Sequence, residues 1–198
     1  MSIEKIRPVF GGLYVDRNHS FFVVDFYNDR VLKYDDWNNP QPRVVAGGRN
    51  WYYPVNAPNQ LHGPHSVFVD EIRDNAMYIG DRNNHRIQKW IQGESFGTTI
   101  LSNASLPFLP AQFYPLYVQI DENGMIYVPY WSGILRASLL DLKWFVIVGG
   151  IERSWELEYT ASKLEDPGYF VFDSNFDLFV NELGKDSIWK FSFNASSC

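Results

Sequence analysis

The chain has 198 residues, of which 45% are hydrophobic and 17% aromatic, so it is long enough for one sizeable domain or an array of smaller units. Lys and Arg number 17 against 23 Asp and Glu, and the net charge of −6 has the wrong sign for a surface that must neutralise nucleic-acid phosphates. The single cysteine, Cys198, excludes an intrachain disulfide and a cysteine-based zinc site, and the four histidines form no metal motif. We therefore expect no metal, no cofactor and no nucleic-acid partner.

The first residues, MSIEKIRPVF, include a glutamate and lack a long apolar core, so we do not expect a secretory signal. No stretch approaches the roughly 18 apolar residues of a membrane span. Asn-x-Ser triplets begin at Asn18, Asn103 and Asn194, and they would accept glycans if the chain were secreted. The compartment stays open, with the cytoplasm favoured.

Similar units of about 50 residues follow one another along the chain. In each unit a first apolar run ends in an aspartate, at Asp16, Asp70, Asp121 and Asp173. After a turn comes a second apolar run, written FFVVD, MYIGD, IYVPY and LFVNE in the successive units. A polar loop then leads to a third run, and a fourth run closes the first three units. The unit boundaries that we assign are 8–61, 62–112, 113–164 and 165–198.

The second unit shows most clearly that these runs are strands. Val67 and Val69 alternate with Phe68, which is the period of two that a strand requires. No segment keeps an apolar period of 3.6 residues over about 11 residues, and this argues against βαβ units. The sequence therefore predicts an all-β propeller built of about four four-stranded blades.

The fourth unit stops after its third run, near Phe193. Residues 3–10, which are followed by two glycines, resemble the fourth-strand ending at 44–48. In a closed ring, a strand within residues 1–10 would complete the last blade and remove both exposed edges. A closed four-bladed ring and part of a larger six-bladed ring are both compatible with the repeat.

The motifs of the second unit resemble the NHL repeat, a family of β-propellers. The resemblance rests on PHSVFVD at 64–70, on MYIGDRNNHRIQKW and on a Gly-containing fourth strand, and the first unit shares it through DFYNDRVLKY. The third unit departs from the pattern at Tyr130, and the fourth has Glu182 and Ser187 in place of Asp and Arg. The resemblance implies a binding module, often the interaction part of a larger protein such as a ubiquitin ligase.

In units 1 and 2, an aspartate ends the second strand and an arginine follows five residues later. The pairs are Asp25 with Arg30 and Asp81 with Arg86. Such a carboxylate can accept hydrogen bonds from the backbone of the following loop, and the arginine can pair with it across the hairpin. We interpret both pairs as structural turn clamps and assign no catalytic residue.

Two other groups of residues are interpreted as structural. His62 and His65 in LHGPH could reach a common ligand, but the sequence offers no third ligand nearby. Trp90 and Trp189 belong to third strands, where blades pack on each other, so we expect both in the core.

The loops from second to third strand share a face with the connections between blades, because successive strands run antiparallel. Those connections reach a dozen residues or more, whereas the turns on the opposite face are short. Loops on a rigid scaffold carry recognition, so we predict that this loop face binds a protein or peptide. The residues expected to do so are Tyr27, Trp51, Tyr53, Arg82, Asn84, His85 and Trp131.

Enzymes are the alternative class, because propellers similar to NHL repeats include a metal-dependent amidating lyase and calcium-dependent lactone hydrolases. The lyase would need several histidines converging on the axis, and the hydrolase would need Asp, Asn and Glu around calcium. Neither set recurs at the inner-strand positions of this chain. The sequence thus favours a non-catalytic interaction scaffold, and we expect the chain not to be an enzyme.

Overall fold

The computed structural model describes residues 11–36, 41–48, 56–106, 113–149 and 164–192, which form four antiparallel sheets. Each sheet is one blade of a β-propeller, so the predicted fold is confirmed. Blade 1 contains β1 (Leu13–Val15), β2 (Phe21–Asp25), β3 (Arg30–Tyr34) and β4 (Arg43–Gly47). Blade 2 contains β5 (Pro64–Val69), β6 (Met77–Asp81), β7 (Arg86–Trp90) and β8 (Thr98–Ser102). Blade 3 contains β9 (Gln119–Ile120), β10 (Met125–Tyr130), β11 (Gly133–Ser138) and β12 (Trp144–Gly149), and blade 4 contains β13 (Pro167–Phe172), β14 (Leu178–Glu182) and β15 (Ser187–Phe191).

The strands of every blade pair with their neighbours in chain order, which makes each sheet a meander. A bulge recurs between the third and fourth strands of blades 1 to 3, at Val31/Leu32, Ile87/Gln88 and Ile134/Leu135. Such bulges increase the local right-handed twist. Because the same bulge occurs in three blades, these blades share a backbone conformation as well as a sequence pattern.

Blade 2 buries both of its faces, and its sequence shows why. Alternation sends Val67 and Val69 to a core shared with blade 1, while Phe68 packs on a core shared with blade 3. All five residues of β6 are buried, because side chains on either side of this strand meet a neighbouring blade. A strand covered on both faces reads as a continuous apolar run instead of an alternating one.

The recurring aspartates close the turns between the first and second strands, on the face opposite the loop face. Oδ1 of Asp16, Asp121 and Asp173 each accepts backbone N–H groups from the residues two and four positions on. This is the local hydrogen bonding that makes aspartate a turn residue. In blade 2 the turn is longer, and Asp70 instead pairs with Arg73 at 2.9 Å.

Blade 1 packs against blade 2, and blade 4 packs against blade 3. The other face of blade 1 and of blade 4 has exposed apolar side chains. Leu13 is 63% exposed in blade 1, and Val171 and Ile188 are 59% and 75% exposed in blade 4. Trp189, expected in the core, is 38% exposed, because β15 is the edge of a sheet in which the described residues supply three strands. The strand expected within residues 1–10 lies outside the described residues.

Within the part of the chain that the structure describes, no helix is long and apolar enough to cross a membrane.

Candidate functional site

The loop face of blades 1 and 2 is built from two similar turns. A short 3-10 helix follows the last residue of the second strand in each blade, at Phe26–Asn28 and Arg82–Asn84. Both end at a residue in the left-handed conformation, Asp29 with φ 53° and His85 with φ 55°. This conformation reverses the chain within four residues, so the side chains of the turn project from the loop face.

Asp81 and Arg86 form a buried ion pair at the base of the blade 2 turn. Arg86 Nε donates to Asp81 at 2.7 Å, and the two side chains are 4% and 0% exposed. The carboxylate also accepts from Asn84 Nδ2 at 2.9 Å and from the backbone N–H of His62 at 2.7 Å. Burial raises the pKa of Asp81, whereas these donors, which favour the carboxylate, oppose the shift.

Arg86 also holds the connection between blades 1 and 2. Its two Nη atoms donate to the carbonyls of Asn56, Ala57 and Gln60 at 3.2, 3.1 and 2.8 Å. A guanidinium has five N–H donors, and this one distributes them between a carboxylate and three backbone oxygens. Arg86 is therefore committed to contacts within the chain.

The equivalent pair in blade 1 is more exposed. Arg30 Nε donates to Asp25 at 2.8 Å, with the arginine side chain 35% exposed. Asn28 Nδ2 donates to both carboxylate oxygens of Asp25. The structure thus brings the two members of each pair into contact, and their role as turn clamps stays a prediction that substitution can test.

Glu182 occupies the corresponding position in blade 4. Ser187 Oγ and Trp189 Nε1 each donate to it at 2.7 Å, and the backbone N–H of Glu165 does so at 2.6 Å. These donors, the Ser187 hydroxyl first, lower the pKa of Glu182 to about 2. A serine and a tryptophan thus supply the hydrogen bonds that an arginine supplies in blades 1 and 2.

Three side chains gather where blade 2 meets blade 3, and we call Arg82, His85 and Tyr114 the loop-face cluster. The guanidinium carbon of Arg82 lies 4.8 Å from the ring centroid of Tyr114. The ring of His85 lies 4.9 Å from the same centroid. His85 Nδ1 is 2.8 Å from the carbonyl oxygen of Phe113, so backbone that precedes blade 3 orients the imidazole.

The other residues expected to bind a partner differ in their surroundings. Tyr27 and Trp131 are 63% and 42% exposed on the loop face. Asn84 donates to Asp81 and therefore takes part in the turn. Trp51 and Tyr53 lie outside the described residues. Among the members of this set that the structure describes, Arg82 and His85 share a cluster through their contacts with Tyr114.

A second group, which we call the axial cluster, contains His65, Tyr117 and Tyr169. His65 and Tyr169 lie near the beginning of β5 and β13, and Tyr117 lies two residues before β9. These are the first strands of blades 2 to 4, and the blades of a propeller surround its axis. The ring centroid of Tyr169 is 6.5 Å from that of His65 and 5.4 Å from that of Tyr117. His65 Nδ1 is 2.9 Å from the carbonyl oxygen of Leu116. Burial, together with the neighbouring Tyr169, raises the pKa of Tyr117.

Sequence reasoning missed the three tyrosines of these clusters. Each lies within two residues of a strand-entry proline, Pro115 or Pro167, and this proximity was the signal that could have found them.

Among the described residues, no group of three or more His, Cys, Asp or Glu is placed to hold a metal ion. A groove of about 690 Å³ lies instead on the outer side of blades 1 and 2, lined by β4, Trp90 and Phe96, and it contains neither cluster.

Comparisons with known proteins find similarity in fold. No family model and no curated protein matches the chain. A streptogramin B lyase structure is 14% identical with a TM-score of 0.61, covering 97% of this chain and 54% of the lyase. A gluconolactonase-like protein is 11% identical (TM-score 0.65, 93% and 59% covered), and a protein of unknown function from Bacteroides thetaiotaomicron is 16% identical (TM-score 0.66, 92% and 46% covered). The chain spans about half the length of these structures.

The expectation that the chain is not an enzyme is contradicted, because the solved structures that share its fold include a lyase and a gluconolactonase-like protein. The missing recurrence of histidine or calcium ligands was a poor reason to exclude catalysis. A propeller can place a different side chain from each blade around its axis, so a site need not repeat from blade to blade. At these identities the likeness shows the fold alone.

Proposed function

We propose that this chain recognises a protein or peptide partner through its loop face. The observation that carries the proposal is the loop-face cluster, in which Arg82 and His85 both contact the ring of Tyr114. Arginine and tyrosine are enriched among the residues that dominate interface energies. The exposed rings of Tyr27 and Trp131 extend the same face, and the resemblance of the repeats to NHL propellers supports a binding role.

The net charge of the chain and the aromatic residues of the loop face favour a polypeptide over a nucleic acid. The net charge of −6 opposes a polyanion, and the aromatic side chains offer large contact areas at low entropic cost. The same features make the face suitable for an extended peptide laid across the blade tops. Backbone groups of such a peptide would meet polar loop atoms, while its side chains would meet the exposed rings.

A peptide array tests this proposal. The purified chain is applied to an array of 12-residue peptides, and a variant combining Tyr27→Ala, Arg82→Ala and Trp131→Ala is compared with it. The matched control combines Arg17→Ala and Glu122→Ala on the opposite face. We expect the first variant to lose peptide binding and the control to retain it, both with a native melting temperature. Binding that survives in the first variant and disappears in the control would refute the proposal.

Catalysis at the axial cluster is the second candidate function. A carbonyl oxygen only accepts hydrogen bonds, so the contact with Leu116 puts the proton of a neutral His65 on Nδ1 and leaves Nε2 as an acceptor. An oriented imidazole with an available Nε2, next to Tyr117 and Tyr169, is suited to accept a proton from a bound substrate. The shared fold with a streptogramin B lyase and a gluconolactonase-like protein supports this candidate.

An activity assay distinguishes this candidate from binding alone. Consumption of a streptogramin B and of gluconolactone is followed with the native chain and with His65→Gln. Turnover that His65→Gln abolishes supports catalysis at the axial cluster. Turnover that the substitution leaves unchanged excludes His65 as the base, and no turnover of either compound excludes both substrates.

A further inference from the structure

Arg82 differs in its partners from four of the other arginines. Four arginines each lie within 3.2 Å of an aspartate oxygen: Arg30, Arg43, Arg73 and Arg86. Arg82 has no such ion pair within the described ranges, and its Nη1 donates only to the side-chain oxygen of Asn83, at 3.1 Å. Most of the donor capacity of this guanidinium is therefore directed at no group of the described chain.

The contact with Tyr114 restricts the position of the Arg82 side chain. Its guanidinium carbon lies over the ring, so the ring covers one side of the group. Two parallel N–H groups match the two oxygens of a carboxylate, and this paired arrangement is stronger than a single neutral hydrogen bond. Tyr114 is 39% exposed, so a ligand can reach this position from solvent.

His85 contacts the same tyrosine ring and adds a hydrogen-bond acceptor to the cluster. Its Nδ1 faces the carbonyl oxygen of Phe113, so the neutral ring carries its proton on Nδ1 and presents Nε2 as an acceptor. An acceptor in the same cluster as Arg82 disfavours a phosphate, which carries more negative charge and more acceptor oxygens. It favours a carboxylate with an N–H group nearby, and the net charge of −6 also disfavours a dianion.

We infer that the loop-face cluster binds a carboxylate, with Arg82 making two parallel hydrogen bonds to its oxygens and His85 Nε2 accepting from a neighbouring N–H of the same ligand. The inference rests on the proposed function, because it names the group of the peptide partner that the cluster recognises. Two sources supply this chemistry. One is the terminal carboxylate of a peptide, and the other is the side chain of an acidic residue.

Small probes test the inference without a known partner. The 15N-labelled chain is titrated with N-acetylglycine, which carries a terminal carboxylate, and with N-acetylglutamic acid α-methylamide, which carries only a side-chain carboxylate. N-acetylglycine methylamide is the uncharged control. We expect both carboxylates to shift the NMR signals of the Arg82 side chain and the His85 backbone, and the tighter of the two identifies the source. Equal binding of the uncharged control would overturn the inference.

Arg82→Gln and Arg17→Gln form the matched pair of variants. A hydrogen bond to a charged group contributes about 1.5 to 3 kcal/mol, so Arg82→Gln should weaken carboxylate binding by roughly tenfold to a hundredfold. Arg17→Gln makes the same charge change on the opposite face and should leave binding unchanged. Unaltered binding by Arg82→Gln would also overturn the inference.

The outcome is separable from that of the peptide array. If array peptides bind equally well with acidic residues replaced by their amides and with amidated termini, the carboxylate inference is wrong and the proposed function survives. If the carboxylate probes bind at Arg82 but the array captures no peptide, the proposed function is wrong and the carboxylate site remains.

Discussion

Arg82 lies over the ring of Tyr114, 4.8 Å from its centroid, and the contact joins the turn of blade 2 to the entry of blade 3. The residue at the equivalent position in blade 1 makes a different contact. Phe26 follows the second strand there and reaches toward Gly63, where an added Cβ would lie 3.0 Å from the Phe26 ring. The backbone conformation is thus repeated, while the contact changes from a phenylalanine ring near Gly63 to an arginine over the ring of Tyr114.

We predict that Arg82 and Tyr114 are energetically coupled. A cation–π contact at an exposed site contributes about 0.5 to 1 kcal/mol. Urea unfolding of Arg82→Ala, Tyr114→Leu and the double variant should therefore give a coupling energy of this size in the free energy of unfolding. The cycle of Arg17→Ala with Tyr114→Leu is the control and should be additive. Additivity in both cycles would show that the stacking does not contribute to stability.

Arg86→Ala should be much more destabilising than Arg30→Ala. Removing Arg86 leaves the buried Asp81 carboxylate and three carbonyl oxygens without their donor, and breaking a buried pair costs about 3 to 5 kcal/mol. Arg30 is 35% exposed, so Arg30→Ala should cost about 1 kcal/mol. Denaturant unfolding measures both. Equal losses would contradict the clamp assigned to blade 2.

Glu182 should make stability depend on pH in acid. Its pKa is lowered to about 2 in the folded chain, so the stabilisation is present above the ordinary value near 4.5 and is lost as pH falls from 4.5 toward 2. Melting temperatures of the native chain and of Glu182→Gln, measured across this range, should converge as the pH decreases. Parallel curves would show that Glu182 is not the group responsible.

Gly80→Ala should destabilise the contact between blades 2 and 3. An added Cβ would lie 2.6 Å from both the carbonyl oxygen of Pro115 and Ser66 Oγ. Overpacking of this kind typically costs about 1 to 3 kcal/mol. Calorimetric melting gives the measurement. An unchanged melting temperature would mean that the entry of blade 3 can move away from β6.

Ser66→Ala is the companion substitution. Ser66 Oγ is buried and has no hydrogen-bond partner among the described residues, so its removal should be neutral or slightly stabilising. The double variant Gly80→Ala with Ser66→Ala should remain less stable than Ser66→Ala alone, because the Pro115 carbonyl remains in place. A full rescue by Ser66→Ala would show that the hydroxyl was the entire obstacle.

The propeller could be predicted from the sequence because its signals are local. Alternation in β5, the aspartates that follow each first strand and the regular spacing of the units all depend on residues close in the chain. Strand period and turn hydrogen bonds are decided within a few residues. The contact of Asp81 with Arg86 is local too, since the hairpin register places them directly opposite.

The clusters at the site were decided by the tertiary structure. Tyr114 meets Arg82 and Tyr169 approaches His65 only because separate blades pack around one axis, and neither distance is encoded in sequence spacing. The exposure of Trp189 likewise depends on what covers the edge of blade 4. The sequence alone determined the blades and their turns, since local hydrogen bonding and burial select them. Packing between blades decided which side chains share a surface, since that contact joins residues far apart in the chain.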